Sequence, residues 1–397
     1  MEYEFWLTDD AGRRMTLLKD LSFASYTRST IGLGTINLGI PFDPFFQEFK
    51  PYFRPDWRVE VWRSPAHGVP LRREDVFLLR KPHVYMRDDT VKILQFYGRN
   101  GLDLLYRRSV IQASGSLFTA KSDFADDMMK ETVRQQMLYG SVLDEDGVVD
   151  NTRAWPQNEF LVQADFGLGP TMTMKFEGKQ VNEAVKDMKL ATFQLNLDSS
   201  SNRRIFYEVV PVNVTGLTTA NNSPLGWEFR TIADLYGQDR TQGIEFSVEN
   251  ENIKDPSYSI SHLEEMNTVY VTSGNVSDNP QIELVQDANR AVDSRWNRVE
   301  GMISSPLEGV TISSLQTAGY AELYRKRPVI EFPVTFLNTP GNGRTPRSLY
   351  GVDWDLGDLL RVNFAGLQFN VEVNVVYVSV DENGAETITG RNEVNAG

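Results

Sequence analysis

The sequence predicts a mainly β protein with α+β insertions, built on two antiparallel β-barrels of which the second is interrupted. Three observations predict it. Apolar residues alternate with period two at the start, middle and end of the chain. Two stretches change to helical spacing between these strand regions. Pro and Gly punctuate the connections, as in antiparallel β architectures. No repeat at a fixed period relates the two halves, so any likeness between the barrels is one of structure only.

The first barrel spans 1–110. Tyr3, Phe5 and Leu7 share one strand face, and Trp57, Val59 and Val61 share another. The stretch 91–97 ends at Gly98, and Pro41, Pro44, Pro51, Pro55 and Pro65 mark the loops. A helical α/β lobe follows at 111–204. Phe124, Met128, Met129, Val133 and Met137 recur at three to five residues, predicting a helix over 122–137. Ser122 reads as its N-cap, with Asp123, Asp126 and Asp127 in the first turns, where negative charge is favoured. A second helix is expected near 180–190 on the stripe Val181, Ala184, Val185 and Met188. An acidic turn lies at 144–147, and short strands near 159–164 and 171–176.

The second barrel comprises 205–235 and 305–397. Its strands are read at 205–212, 227–231, 329–337, 359–364 and 368–380, with a weak helix near 308–324. In the run 368–380, Phe369, Val371, Val373, Val375 and Tyr377 share one face, before Val376, Val378 and Val380 make the other face apolar. A turn at 381–384 sends the chain back as a hairpin through 385–389. A β-rich lobe at 236–304 interrupts this barrel, with strands near 244–248 and 268–271 and a turn at 273–275.

Composition excludes several chemistries. The 397 residues hold 54 acids, 40 bases, three His (67, 83 and 262) and no Cys. Without Cys there is no disulfide, thiolate zinc site, iron–sulfur cluster or cysteine nucleophile. No apolar run approaches the roughly 18 residues of a membrane span. The first ten residues lack a signal peptide's charged and apolar regions, so no secretory leader is expected, and the sequons at Asn213, Asn221 and Asn275 read as idle.

The net charge of −14 argues against general nucleic-acid affinity. That charge is uneven. Residues 50–110 carry 13 Lys/Arg against 7 Asp/Glu, and residues 111–397 carry 23 against 40. The basic segment reads either as a solvated, salt-bridged surface or as a contact with an acidic neighbour.

Catalytic motifs are weak. Gly32-Leu33-Gly34 with Gly39 lacks the third glycine and the following helix of a dinucleotide loop, and suits a twisted hairpin better. Asp353, Asp355 and Asp358 lack the further oxygen ligands and bidentate Glu of a calcium loop. Ser114 and Ser116 have no Gly-x-Ser-x-Gly context, and each His reads as a surface or hydrogen-bonded residue. No catalytic residue, cofactor or metal ligand is therefore assigned. The polar, breaker-rich loop 338–348 is expected to be mobile and to serve assembly.

Several segments carry a resemblance. They are Leu21-Ser22-Phe23-Ala24-Ser25-Tyr26 with Gly32 and Ile36-Asn37-Leu38-Gly39-Ile40-Pro41; Arg58-Val59-Glu60-Val61-Trp62-Arg63; and Phe96-Tyr97-Gly98-Arg99-Asn100-Gly101-Leu102-Asp103-Leu104-Leu105 with Arg107-Arg108. Trp227-Glu228-Phe229-Arg230-Thr231, 237–241 and 350–358 complete the series. In this order the chain resembles the ReqiPepy-type siphovirus tail proteins, baseplate hub or tail-tip proteins of long-tailed bacteriophages.

The resemblance implies a phage tail hub fold with two tube-like barrels, and a homotrimer whose six barrels imitate the tail tube. It implies a virion protein, assembled in the host cytoplasm, with no enzymatic role. Many relatives of that type carry a C-terminal peptidase or fibre domain; this chain stops after one hairpin and a short polar tail, so no attached lytic domain is expected. Its expected partners are the distal tail protein and tube ring, the tape measure protein, and tail fibre or receptor-binding proteins, with genomic DNA only in transit. The acidic remainder of the chain is expected to face that DNA. Arg99, Asp103, Arg107, Arg108, Arg344, Arg347 and Tyr350, and the final hairpin 368–389, are the interface candidates. The alternatives are a virion-associated cell-wall or carbohydrate-degrading or -binding protein, and the distal tail ring protein itself.

Overall fold

The computed structural model describes residues 2–42, 54–87, 91–111, 121–139, 141–142, 149–157, 159–174, 178–194, 203–213, 225–273, 281–305 and 312–392. Pro44, Pro51, Ser114, Ser116, the acidic turn 144–147, Asn221, and Gly274-Asn275 lie outside the described residues.

The protein is mainly β. Eleven strands form one antiparallel sheet: β1 (Tyr3–Thr8), β2 (Arg14–Leu17), β3 (Phe23–Ser29), β4 (Thr35–Pro41), β5 (Arg58–Arg63), β6 (Arg72–Arg87), β7 (Val91–Asn100), β8 (Ile253–Lys254), β9 (Thr335–Leu337), β10 (Val375–Asp381) and β11 (Glu386–Arg391). Their order across the sheet is β8-β9-β11-β10-β3-β4-β7-β6-β5-β1-β2. Among the described residues no closed barrel is detected, and the ladder ends at β8 and β2.

The sequence expectation of two separate barrels differs from this for a physical reason. Alternation says which face of a strand is buried but not which strand lies beside it. Here β10 pairs with β3 over seven positions, from Val375 opposite Ser29 to Asp381 opposite Phe23. The last and first parts of the chain thus share one ladder and one core, which includes Phe5, Tyr26, Leu38, Phe96, Trp354, Val376 and Val378.

The run 368–380 is two strands, not one. Leu367–Glu372 pairs with Leu359–Phe364 in a three-stranded sheet, and β10 belongs to the large sheet. Val371 and Val373 are buried on one parity, Val376, Val378 and Val380 on the other. The change of apolar parity marks where the chain passes between sheets.

The helical lobe packs around a second core. Helix α1 (Ala125–Val133) buries Met128, Met129 and Val133, and its π-turn extension Arg134–Leu138 buries Met137. Helix α2 (Val181–Gln194) buries Val181, Ala184, Val185 and Met188 as their spacing predicts. Ser122 is not an N-cap. It lies in the strand Lys121–Phe124, paired with Thr173, and α1 starts at Ala125. Asp126 and Asp127 do lie in the first turn of α1, as expected, and their carboxylates also hold another segment. Asp126 accepts the Leu168 N–H at 2.6 Å, and Asp127 accepts those of Phe166 and Gly167 at 3.1 and 3.2 Å.

In the 236–304 region the sheet of Thr268–Ser273, Ile282–Gln286 and Glu300–Ser305 packs on helix α3 (Ile312–Arg325) through Val269, Val271, Val285, Leu315 and Leu323. Among the described residues no helix is long and apolar enough to cross a membrane.

Candidate assembly surface

The sequence candidates Arg99, Asp103 and Arg107 meet at one place. Strand β7 runs into the 3-10 turn Gly101–Arg107, whose Leu102, Leu104 and Leu105 anchor it in the second core. Gly101 permits that approach, since a Cβ there would stand 2.6 Å from the Trp227 ring and from the Val209 carbonyl. Asp103, itself buried, accepts from Arg107 Nε and Nη2 at 2.9 and 2.7 Å and from Arg99 Nη1 at 3.1 Å.

A β-bulge between Leu79 and Lys81 brings in two more cations. Arg80 donates to Asp56 at 2.9 Å, and Arg107 reaches the same carboxylate at 2.7 Å. The Lys81 ammonium lies 5.7 Å from the centre of the Tyr97 ring. Together these side chains line an open groove of about 800 Å³, floored by Thr35, Asn37 and Tyr97. The basic excess of 50–110 is therefore concentrated in part on one face. Arg80 and Lys81 carried no signal of their own in the sequence, because the bulge that aims them is set by pairing with β7.

The other candidates lie elsewhere. The Arg108 guanidinium stacks over Trp155 at 5.1 Å, in the helical lobe. Arg344 is exposed in the 338–348 loop, and Arg347 makes a bidentate pair with Asp353 at 3.0 and 2.8 Å. That loop, expected to be mobile, is a hydrogen-bonded hairpin. Thr339 and Ser348 exchange both backbone bonds, and the Asn342 side chain accepts from the N–H groups of Arg344 and Thr345.

Tyr350 is fully buried. Its hydroxyl donates to Glu74 at 2.8 Å and accepts from Arg28 Nη1 at 2.5 Å, and its N–H donates to Asn338 Oδ1 at 2.8 Å. Burial, and after it the neighbouring carboxylates, push its hydroxyl well above the ordinary tyrosine range, against the opposing pull of Arg28. It locks the C-terminal segment to β3 and β6 from inside.

The acidic segment 353–358 binds arginines. Asp353 pairs with Arg347, Asp355 with Arg28 and Arg72 at 3.2 and 3.0 Å, and Asp358 with Arg240 at 2.6 Å. His262 pairs with Glu265 and His83 stacks on Tyr85, so neither meets a Ser in a triad. Among the described residues no group of three or more His, Asp or Glu is arranged to hold a metal ion.

The face of the large sheet turned away from the core is polar. One register row crosses six strands as Thr387, Ser379, Ser25, Asn37, Tyr97 and Lys81. The next runs Thr389, Tyr377, Thr27, Thr35 and Arg99. Neither row contains a carboxylate. Hydroxyl and amide groups dominate, with cations at the β6/β7 side.

No family model matches the chain, and no curated protein matches it by sequence. Its fold is shared with solved tail proteins. The 43 kDa tail protein of prophage MuSo2 from Shewanella oneidensis superposes with a TM-score of 0.55 at 12% identity, covering 99% of this chain and 98% of that one. The tail protein from Neisseria meningitidis MC58 gives 0.53 at 9% identity, covering 100% and 97%.

Proposed function

We propose that the protein is a structural, non-enzymatic component of a bacteriophage tail tip or baseplate: a homotrimeric hub that continues or closes the tail tube and lets DNA pass at infection. The observation that carries this reading is the fold, shared end to end with the two tail proteins. The sequence resemblance to ReqiPepy-type tail proteins agrees with it.

In this reading each chain supplies two tube-like halves, one from 1–110 and one from 305–397, joined where β3 pairs with β10. The strands Ile205–Asn213 and Leu225–Ala233, first expected in the second half, pair with Phe160–Val162 and pack in the core of the helical lobe. The lobes 111–204 and 236–304 decorate the ring. The conduit wall is the part of the sheet's polar face on β11, β10 and β3, away from the cationic groove beside β6 and β7. Its hydroxyls stay hydrated and offer passing phosphates few charged contacts, a role first expected of the chain's acids. Downstream tail-tip proteins, the distal tail ring and the tape measure protein are the partners, and the virion is the site of action.

Counting copies in an intact tail tip tests the reading. Three copies per tail are expected. Six would indicate the distal tail ring, and absence from the particle would contradict a structural role.

A further inference from the structure

Two surface features of opposite charge lie far apart on the large sheet. The first is the groove beside β6 and β7. Its four cations, Arg80, Lys81, Arg99 and Arg107, face only two carboxylates, Asp56 and Asp103, leaving two net positive charges. Arg80 and Arg99 each hydrogen-bond these acids through one nitrogen, so the guanidiniums are fixed while their other edges remain available. Lys81 and Arg99 are exposed.

The second feature is the turn at 245–251, which leads into β8. Glu245, Glu249 and Glu251 are all exposed, and Val248 stands half exposed among them. None of the three glutamates has an ion-pair partner among the described residues. The turn is tied to its own base, with Asn252 accepting the Ser247 N–H at 2.9 Å and donating to the Glu245 carbonyl at 3.0 Å. It therefore presents three negative charges on a framed loop.

Strand order separates the two. From β8 to β7 there are six strand spacings, roughly 29 Å along the sheet at about 4.8 Å each. The turn does not pair with the groove of its own chain. Two complementary, non-overlapping patches on one chain define a heterologous contact, which repeats head to tail and closes into a ring when the rotation allows.

We propose that the 245–251 turn of one copy seats its glutamates in the Arg80–Lys81–Arg99 groove of the next. This rests on the homo-oligomeric reading above and names its contact. A carboxylate-bearing protein loop suits the groove better than nucleic acid does, because the rest of the chain is strongly acidic and repels a polyanion. In a closed ring every groove is filled and every turn is used.

The test is a charge swap on the full chain, read as oligomer dissociation constant by sedimentation at 150 mM salt. Lys81→Glu with Arg99→Glu, and separately Glu249→Arg with Glu251→Arg, should each weaken assembly about tenfold or more. Combining all four substitutions should restore it to within about threefold of the parent. If reversal beside Asp103 impairs folding, Lys81→Gln with Arg99→Gln should weaken assembly in the same direction. A parent ring unaffected by either pair, or a four-fold variant no better than the pairs, overturns the contact while leaving the hub reading standing. Groove-dependent binding of a duplex DNA fragment at that salt would assign the groove to nucleic acid and overturn it too. A parent that stays monomeric overturns both.

Discussion

Arg63 and Tyr350, 287 positions apart, are stacked in the protein interior. The guanidinium lies 5.1 Å from the ring centre, and its Nη1 donates to the Tyr350 carbonyl at 3.2 Å. Arg63 is fully buried and also holds Glu386 at 3.2 Å and the Tyr3 hydroxyl at 2.9 Å. One side chain thus joins β1, β5, β11 and the segment after the 338–348 loop. Tyr350→Phe keeps the stacking but removes the hydroxyl from Arg28 and Glu74. It should cost about 1–3 kcal/mol in urea unfolding, because a buried carboxylate and a guanidinium each lose a partner. An unchanged midpoint would show that these bonds contribute nothing.

A second buried pair holds the helical lobe. Lys130 and Asp126 are both fully buried on α1 and meet at 2.9 Å. Lys130 also donates to the Ala164 carbonyl at 2.7 Å and sits 4.4 Å from the centre of the Phe166 ring. Lys130→Met leaves a carboxylate buried without its cation and should cost about 3–5 kcal/mol. Hydrogen exchange should rise first at 164–168, which this pair anchors. A loss under about 0.5 kcal/mol would contradict the assignment.

Asp75 makes stability depend on pH in the less common direction. Burial pushes its carboxyl up to about 6, against the lowering pull of Arg28 and of its bond from the Val76 N–H. Glu208 and Glu74 add to the rise. The folded state therefore holds this proton more tightly than the unfolded chain does. Its contribution is fully present below about pH 4 and is lost as pH rises through about 6. Asp75→Asn should be more stable than the parent at pH 7.5, with the advantage fading between pH 6 and 4. An advantage independent of pH would rule out this cause.

The absence of Cys makes the proposed conduit wall testable by single thiols. Ser25→Cys and Ser379→Cys lie opposite each other in the polar row. Both should react with a small maleimide in free and assembled protein. A maleimide carrying a bulky polymer should react only before assembly. Equal reaction of the bulky reagent with the assembled ring would place this face outside the conduit.

Much of the strand framework was legible in the sequence. Val59 and Val61, and later Val376, Val378 and Val380, announce their buried faces by alternation alone. The resemblance carried by the segment ending in Arg107-Arg108 brought three groove residues, Arg99, Asp103 and Arg107, into view, and their i,i+4 spacing sets both arginines on the one carboxylate. The pairing of β3 with β10 was not legible, since Ser25 and Ser379 carry no mark of each other. Nor was the burial of Tyr350, because a tyrosine in a polar, breaker-rich stretch looks like a surface residue until its hydroxyl is seen to donate to Glu74 and accept from Arg28. Ser122 misled for a local reason: its helix-capping chemistry is real, but the backbone at that point is claimed by a strand.

The proposed hub is a closed ring of three chains. Native mass measurement of the purified protein across micromolar concentrations tests it most directly. A dominant species of three times the 45.1 kDa of one chain is expected, weakening with added salt. A species that remains at the mass of one chain throughout, with or without tail-tip partners, would contradict it.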